Sequence, residues 1–437
     1  MKYVQSIVLC LVANTTIPSS AQAEMENEIQ LSNIVEEALE NDPWIKGSWH
    51  DQNKMESLGI AAGELPDPVV TLGVANLAAD TFDFDQERMT HLKMGILQRF
   101  PRGNSRKLGR DKLKIESEQY PHLRENRKGE ITLRVSHLWL NLYRAQESIR
   151  IINQSLDLFE KLVEVVESNY IAAVTKTTQF DIVQTELEMS FLDDRLAVLK
   201  QEKEFHIAQL SQWLGYQVND GLNVSQRLPN INPIQKQTSL LAHLAKHPAI
   251  KAFDKQIDSS DLGIELSRQK YKPAWSLNLG YGYRENAPTG TNRSDLLSIS
   301  VNFDVPLFKA NRQDQEVNAA VQTKESMLTK KEQMLRTLMN IHETSTADLE
   351  NLRSRASLYE SKLLPQTKQS IEIALNAYSA DEGDFSEVVR AQISELDASL
   401  ELLKIQVAIQ KTILSLNYAL MKSADDILNS SFIGESL

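Results

Sequence analysis

A single cysteine in 437 residues, Cys10, has no partner within the chain, so no intrachain disulfide forms and packing must hold the fold. Aromatics are 6% of the residues and glycines number 16, which disfavours a pure β-sandwich or a large porin. Beyond the N-terminal segment no run of 18 apolar residues occurs, so no membrane-spanning helix is expected. Positive charge is in deficit, 47 Lys and Arg against 59 Asp and Glu, and a net charge of −12 argues against a nucleic-acid partner. A phosphate-cradling glycine loop, a G-x-S-x-G elbow and an H-E-x-x-H helix are also missing. Among the eight histidines only His243 and His247 lie at helical spacing, and no third ligand sits within a turn of both. They are expected to be a surface pair. Methionines are scattered, with no thioether cluster for Cu(I). No cofactor, no metal site and no enzyme are expected.

What is present begins with an address. Met1-Lys2, the apolar Ile7–Ala13 and a closing Ala21-Gln22-Ala23 have the layout of a secretory signal peptide over residues 1–23. Cleavage near Ala23 would remove Cys10 and, with Lys2, take the net charge from −12 to −13. An exported chain without a spanning helix is either soluble or part of a closed β-barrel.

The rest is written twice. Asn41-Asp42-Pro43-Trp44-Ile45-Lys46 is echoed 205 residues later by Lys246-His247-Pro248-Ala249-Ile250-Lys251. At that offset Pro68 maps onto Pro273 and Pro101 onto Pro306; Tyr170 and Gln184 map onto Tyr378 and Gln392 at 208. A unit this long is a duplicated module, not a solenoid repeat. The expected division is a first repeat over 24–235, a second over 236–424 and a tail over 425–437.

Each repeat holds two segments with period-two alternation, expected as strands near 68–77, 90–100, 274–284 and 296–305. In the third, Trp275, Leu277, Leu279, Tyr281 and Tyr283 share one face and Ser276, Asn278, Gly280 and Gly282 the other. The fourth sets Leu297, Ile299, Val301, Phe303 and Val305 against Ser298, Ser300, Asn302 and Asp304. Strands of about ten residues, apolar outside and polar inside, fit a barrel wall, which places Ser276, Asn278, Ser298, Ser300, Asn302 and Asp304 on the lumen. A half-buried soluble sheet gives the same alternation. Four strands cannot close a barrel, whose smallest bacterial examples have about eight, so several chains would have to share one.

The strands are followed by long helical stretches, hairpins over 104–214 and 310–421, in which Pro121 is expected to kink or break the first and Pro365 is the second's only proline. Helices of this length indicate antiparallel coiled-coil packing. All strands then gather at one end, and the turns near 170–178 and 378–384 at the other, about 100 Å away.

This layout resembles the TolC-type outer-membrane factors of efflux and secretion systems over nearly the whole mature chain. The motifs are Leu65-Pro66-Asp67-Pro68 before the first strand, Phe100-Pro101-Arg102-Gly103 after the second, Pro306-Leu307-Phe308 after the fourth, and the two Tyr…Gln turns. Asp80–Thr90, Tyr281–Arg284 and Asn311-Arg312-Gln313 look most like the branch paired with heavy-metal pumps of the RND class. The resemblance implies a mainly α fold with a small β part, four transmembrane strands per chain in a twelve-stranded trimeric barrel, and a periplasmic α-barrel. It implies an outer-membrane location in lipid, a homotrimer, a periplasmic adaptor and an inner-membrane RND transporter. It also implies a gate at the helical tip, where Tyr378 falls on the family's tip tyrosine and Glu387 on an acidic ring position. Arg390 stands where an acid is usual; Asp381, Glu382 and Asp384 keep the second turn acidic, against Lys176 and Gln179 in the first. Two other readings stay open: a soluble periplasmic coiled-coil adaptor or scaffold, and a duct for drugs or type I secretion.

Overall fold

The computed structural model describes residues 28–172, 178–214, 223–235, 239–380 and 382–428. The proposed signal segment, Lys176 and Asp381 lie outside them. In chain order the elements are β1 (Glu28–Ile29), α1 (Leu31–Asn41), α2 (Pro43–Gly63), β2 (Val69–Ala75), β3 (His91–Phe100), α3 (Ser105–Ser117), α4 (Gln119–Ala172) and α5 (Gln179–Leu214). The second repeat continues with β4 (Asn223–Val224), α6 (Leu240–Leu244), α7 (Pro248–Arg268), β5 (Trp275–Tyr283), β6 (Leu296–Phe303), α8 (Gln313–Leu358), α9 (Leu364–Ser379) and α10 (Phe385–Leu420). The fold is mainly helical, with one four-stranded sheet and a two-stranded parallel pair, β1 with β4.

The echoed Asp42-Pro43 and His247-Pro248 mark equivalent helix starts. Asp42 caps α2, its Oδ1 accepting from the Ile45 N–H at 2.9 Å, with Pro43 in the first turn where a missing N–H is harmless. His247 caps α7 in the same way, its Nδ1 accepting from the Ala249 N–H at 3.2 Å ahead of Pro248.

His243 and His247 are not a surface pair. They are 4% and 0% exposed, one on α6 and the other at the cap of α7. His243 Nε2 donates to the Leu420 carbonyl at 2.8 Å, and His247 Nε2 to that of Tyr418 at 3.1 Å. The last carbonyls of α10 have no intrahelical donors, and the two imidazoles satisfy them where the helix end is buried. Burial pushes His247 down to about 4, so the ring is neutral at pH 7.

The first long helix breaks at Glu118, three residues before Pro121, so the proline sits in the first turn of α4 instead of kinking it. With 54 residues α4 is about 80 Å long. In the second repeat a π-helical turn, Tyr359–Leu363, separates α8 from α9 and places Pro365 in the opening turn of α9. The change of offset from 205 to 208 also has a place. Helix α3 begins four residues after Pro101 and α8 seven after Pro306, so the extra three residues belong to the connector before Gln313.

Near the sheet, α2 packs on α3, α3 on α7 and α7 on α8. Beyond them α4 pairs with α5, α10 with α8 and α9, and α4 with α10, which joins the repeats. The larger core lies midway, where Trp139, Leu142, Leu210, Leu244, Leu338 and Leu414 are buried together. A second cluster, around Phe159, Leu192, Phe385 and Val389, holds the part toward the turns. Arg124 is buried between α2 and α4, its guanidinium 3.6 Å from the Trp49 ring centroid and Nη2 donating to Gln52 Oε1 at 2.8 Å. Residues Ala424–Asp426 form a 3-10 turn that packs on α4, and Ile427 is fully buried.

Candidate functional site

The four-stranded sheet runs β2-β3-β5-β6, antiparallel throughout. Directly paired residues share a face, so register decides what each face is made of. Leu72, Met94, Tyr281 and Leu297 form one cross-strand row and Val70, Ile96, Leu279 and Ile299 another. Phe100, Trp275 and Phe303 form a third at the helical end, where Phe100 stacks on Trp275 with centroids 3.9 Å apart. This face is continuous, apolar and bare: Leu72 is 71% and Leu297 73% exposed. A soluble sheet of four strands would bury such a face; in lipid it is the outer wall of a barrel. Among the described residues β2 and β6 have no ladder partner on their outer edges, which closure with further copies would supply.

On the opposite face Ser276 pairs with Asn302, Asn278 with Ser300 and Gly280 with Ser298, which brings five of the predicted lumen residues together. Val69, Leu97 and Leu296 are apolar exceptions there. The sixth, Asp304, lies one residue past β6 and is committed to the junction below the sheet. Its Oδ1 accepts from the Ala274 N–H at 2.6 Å and its Oδ2 binds Arg102. Arg102 also donates to the Lys270 carbonyl at 2.7 Å, clamping one repeat to the other. Gly103 follows at φ +48°, and a Cβ there would lie 2.5 Å from Gln269 Oε1. The motif Phe100-Pro101-Arg102-Gly103 was visible in the sequence; the roles of Arg102 and Asp304 as a clamp were not.

At the far end α9 stops when the N–H groups of Glu382 and Gly383 both reach the Ala377 carbonyl, at 2.9 and 3.1 Å. Gly383 is needed for that close approach, since a Cβ there would meet the Ala377 Cβ at 2.9 Å. Tyr378 packs edge-on to Phe385, centroids 5.3 Å apart. Phe385, Val388 and Val389 are buried at i, i+3 and i+4, which turns Glu387 and Arg390 to the exposed side of α10. Glu382 and Asp384 are exposed beside them, as is Gln179 at the start of α5. Among the described residues no ion pair joins Glu387 to Arg390, although both are free to face a common space. Sequence reasoning missed Asp181, whose Oδ2 accepts from both the N–H and the hydroxyl of Thr178 at 2.8 Å and starts α5. Its signal was the T-x-x-D spacing of a helix N-terminus.

Residues 241–420 match the outer membrane efflux protein family. The match spans α6 to α10 of the second repeat, less than half of the chain. No curated protein matches its sequence. Among solved structures it is similar to CusC, at 16% identity and TM-score 0.75 over 90% of this chain and 92% of that one. It is also similar to the CmeC outer membrane channel of Campylobacter jejuni, at 14% identity and TM-score 0.73 over 96% and 93%. VceC of Vibrio cholerae, an outer membrane protein, aligns at 15% identity and TM-score 0.71 over 89% and 95%. The chain therefore has the TolC-type channel fold over almost its full length. Among the described residues no helix is long and apolar enough to cross a membrane, and no three His, Cys, Asp or Glu side chains converge as a metal site.

Proposed function

We propose that three copies of this chain share a twelve-stranded barrel in the outer membrane and continue it as a helical tube through the periplasm. The observation that carries this is the sheet: four strands, one bare apolar face and two unpaired edges. A second apolar surface agrees with it. Phe180, Val183, Leu187, Phe191, Val198 and Phe205 repeat at near-heptad spacing along α5 and are all exposed, a seam without a facing helix in one chain. The soluble adaptor or scaffold reading leaves both surfaces in water.

The duct is passive in this reading, since nothing in its sequence binds a nucleotide, and an inner-membrane RND pump drives it through a periplasmic adaptor. Heavy-metal cations are the favoured cargo, on the resemblance of Asp80–Thr90 and Tyr281–Arg284 to the metal-pump branch. Drugs or secreted proteins are the competing cargoes. Native mass measurement should find a trimer that requires detergent; a soluble monomer would refute the duct. Deleting the gene should raise sensitivity to Cu, Zn, Cd or Co, and sensitisation to hydrophobic drugs alone would move the assignment to drug efflux.

The gate is proposed at the tip, with Tyr378, Glu382, Asp384, Glu387 and Arg390 in the second turn and Gln179 in the first; Asp381 and Lys176, outside the described residues, complete it. Threefold symmetry sets each lumen-facing Glu387 beside two copies of itself, a like-charge ring that attracts cations. Glu387→Gln is expected to change single-channel conductance or its block by divalent cations in planar bilayers. If neither moves, Glu387 is a solvated surface residue.

A further inference from the structure

The polar face of the sheet carries charge of one sign only. Lys93 and Arg99 both lie on β3, point to the same side as Ser276 and Asn278, and are exposed. Lys93 is paired with Gly73 on one side and Gly282 on the other, so no neighbouring side chain in its row on those strands covers it. Arg99 is paired with Ser276, which in turn faces Asn302. Neither cation forms an ion pair among the described residues. Apart from the two cations, the ladder rows of this face hold Ser, Asn, Thr, Gly, Ala, Val, Leu and the imidazole of His91, and no carboxylate. The nearest acids along the strands are already engaged. Asp304 is bound to Arg102 below the sheet, and Asp295 above it accepts from the Tyr281 hydroxyl and, at 3.1 Å, from the Arg284 N–H.

From this we infer that the barrel wall of this protein is an anion-favouring segment set by Lys93 and Arg99. The inference rests on the proposed trimer, in which the two side chains form two rings of three cations. Six residues of strand separate the rings by about 20 Å, or about 15 Å along the axis after barrel tilt. At physiological ionic strength the Debye length is about 8 Å, so all of the wall between them lies within roughly one Debye length of a ring. This positive band stands between acidic ends. The outer loop 76–90 carries Asp80, Asp83, Asp85 and Glu87 against Arg88, and the tip carries Glu382, Asp384 and Glu387 against Arg390. A solute crossing the duct therefore meets opposite fields in series. The barrel favours small anionic solutes, and a free divalent cation crosses it against repulsion.

The test is conductance of the purified protein in planar bilayers with tripolyphosphate added on the barrel side. The wild type should be blocked, and the Lys93→Gln/Arg99→Gln variant should need about tenfold more polyanion for the same block. The charge-preserving Lys93→Arg/Arg99→Lys variant should behave as wild type. Single variants Lys93→Gln and Arg99→Gln should fall between, which covers failure of the double variant to assemble. Channels that show the same block in every variant, or none in the wild type, overturn the inference and leave the duct intact. A wild-type protein that forms no channel overturns the duct reading itself.

Discussion

Asp42→Ala is expected to lower stability by about 3 kcal/mol. Two effects add. Loss of an N-cap costs about 1 kcal/mol. Asp42 also holds Arg127, Oδ2 to Nη2 at 2.8 Å, with the Asp42 side chain 2% exposed. Removing one partner of a fully buried pair costs about 3–5 kcal/mol, but Arg127 is 31% exposed and water can partly replace the carboxylate, so about 2 kcal/mol is the better figure. The measurement is a helical circular-dichroism melt in detergent. Asp42→Asn, which keeps a capping oxygen and removes the charge, should fall between the wild type and Asp42→Ala. A melt of Asp42→Ala that overlays the wild type would show that α2 starts without its cap.

Acid should weaken the same core through the equivalent position of the second repeat. Buried His247 takes up a proton at about 4, against its ordinary 6.5. The unfolded chain therefore binds that proton first as pH falls. The neutral ring's full contribution is present above pH 6.5, declines between 6.5 and about 4, and is lost below. A shift of this size corresponds to about 3 kcal/mol. Asn at position 247 can cap a helix and does not titrate in this range, so His247→Asn should flatten the fall in melting temperature between pH 6.5 and 4. Parallel profiles for the two proteins would mean that other groups dominate acid unfolding.

Periodicity and repetition made the architecture legible. Two residue types that cannot be overlooked, the prolines and the alternating β-branched and aromatic residues, stand at the ends and faces of the strands. Pro68 and Pro273 precede strands, and Pro101 and Pro306 follow them, because a residue without an N–H ends a ladder. Pro121, expected to kink or break the helix, marks a break for a local reason: proline is tolerated in a first turn, so the break falls at Glu118, three residues earlier. The histidines misled for a long-range one. His243 and His247 look like a solvent-facing pair until the end of α10 is brought against them from more than 170 residues away. Arg102 and Asp304 were hidden likewise, since their partnership spans 202 residues and leaves no local pattern. At the tip, burial of Phe385, Val388 and Val389 fixes which way Glu387 points, but the ring it is proposed to join requires other chains.

The pairing of β3 with β5 also sets a timetable. Phe100 lies against Trp275, 175 residues later in the chain. The β2–β3 hairpin is therefore made long before the strand that covers its edge exists. A lone hairpin is marginally stable in water, whereas α4 and α5 need only near neighbours to fold. The helical half can thus be in place while the sheet is still waiting, its apolar face and open edge exposed to any passing chain. For this protein the hazardous interval of biogenesis is the delay between its two hairpins, and a chaperone that shields Val70, Leu72 and Val74 would act in that interval.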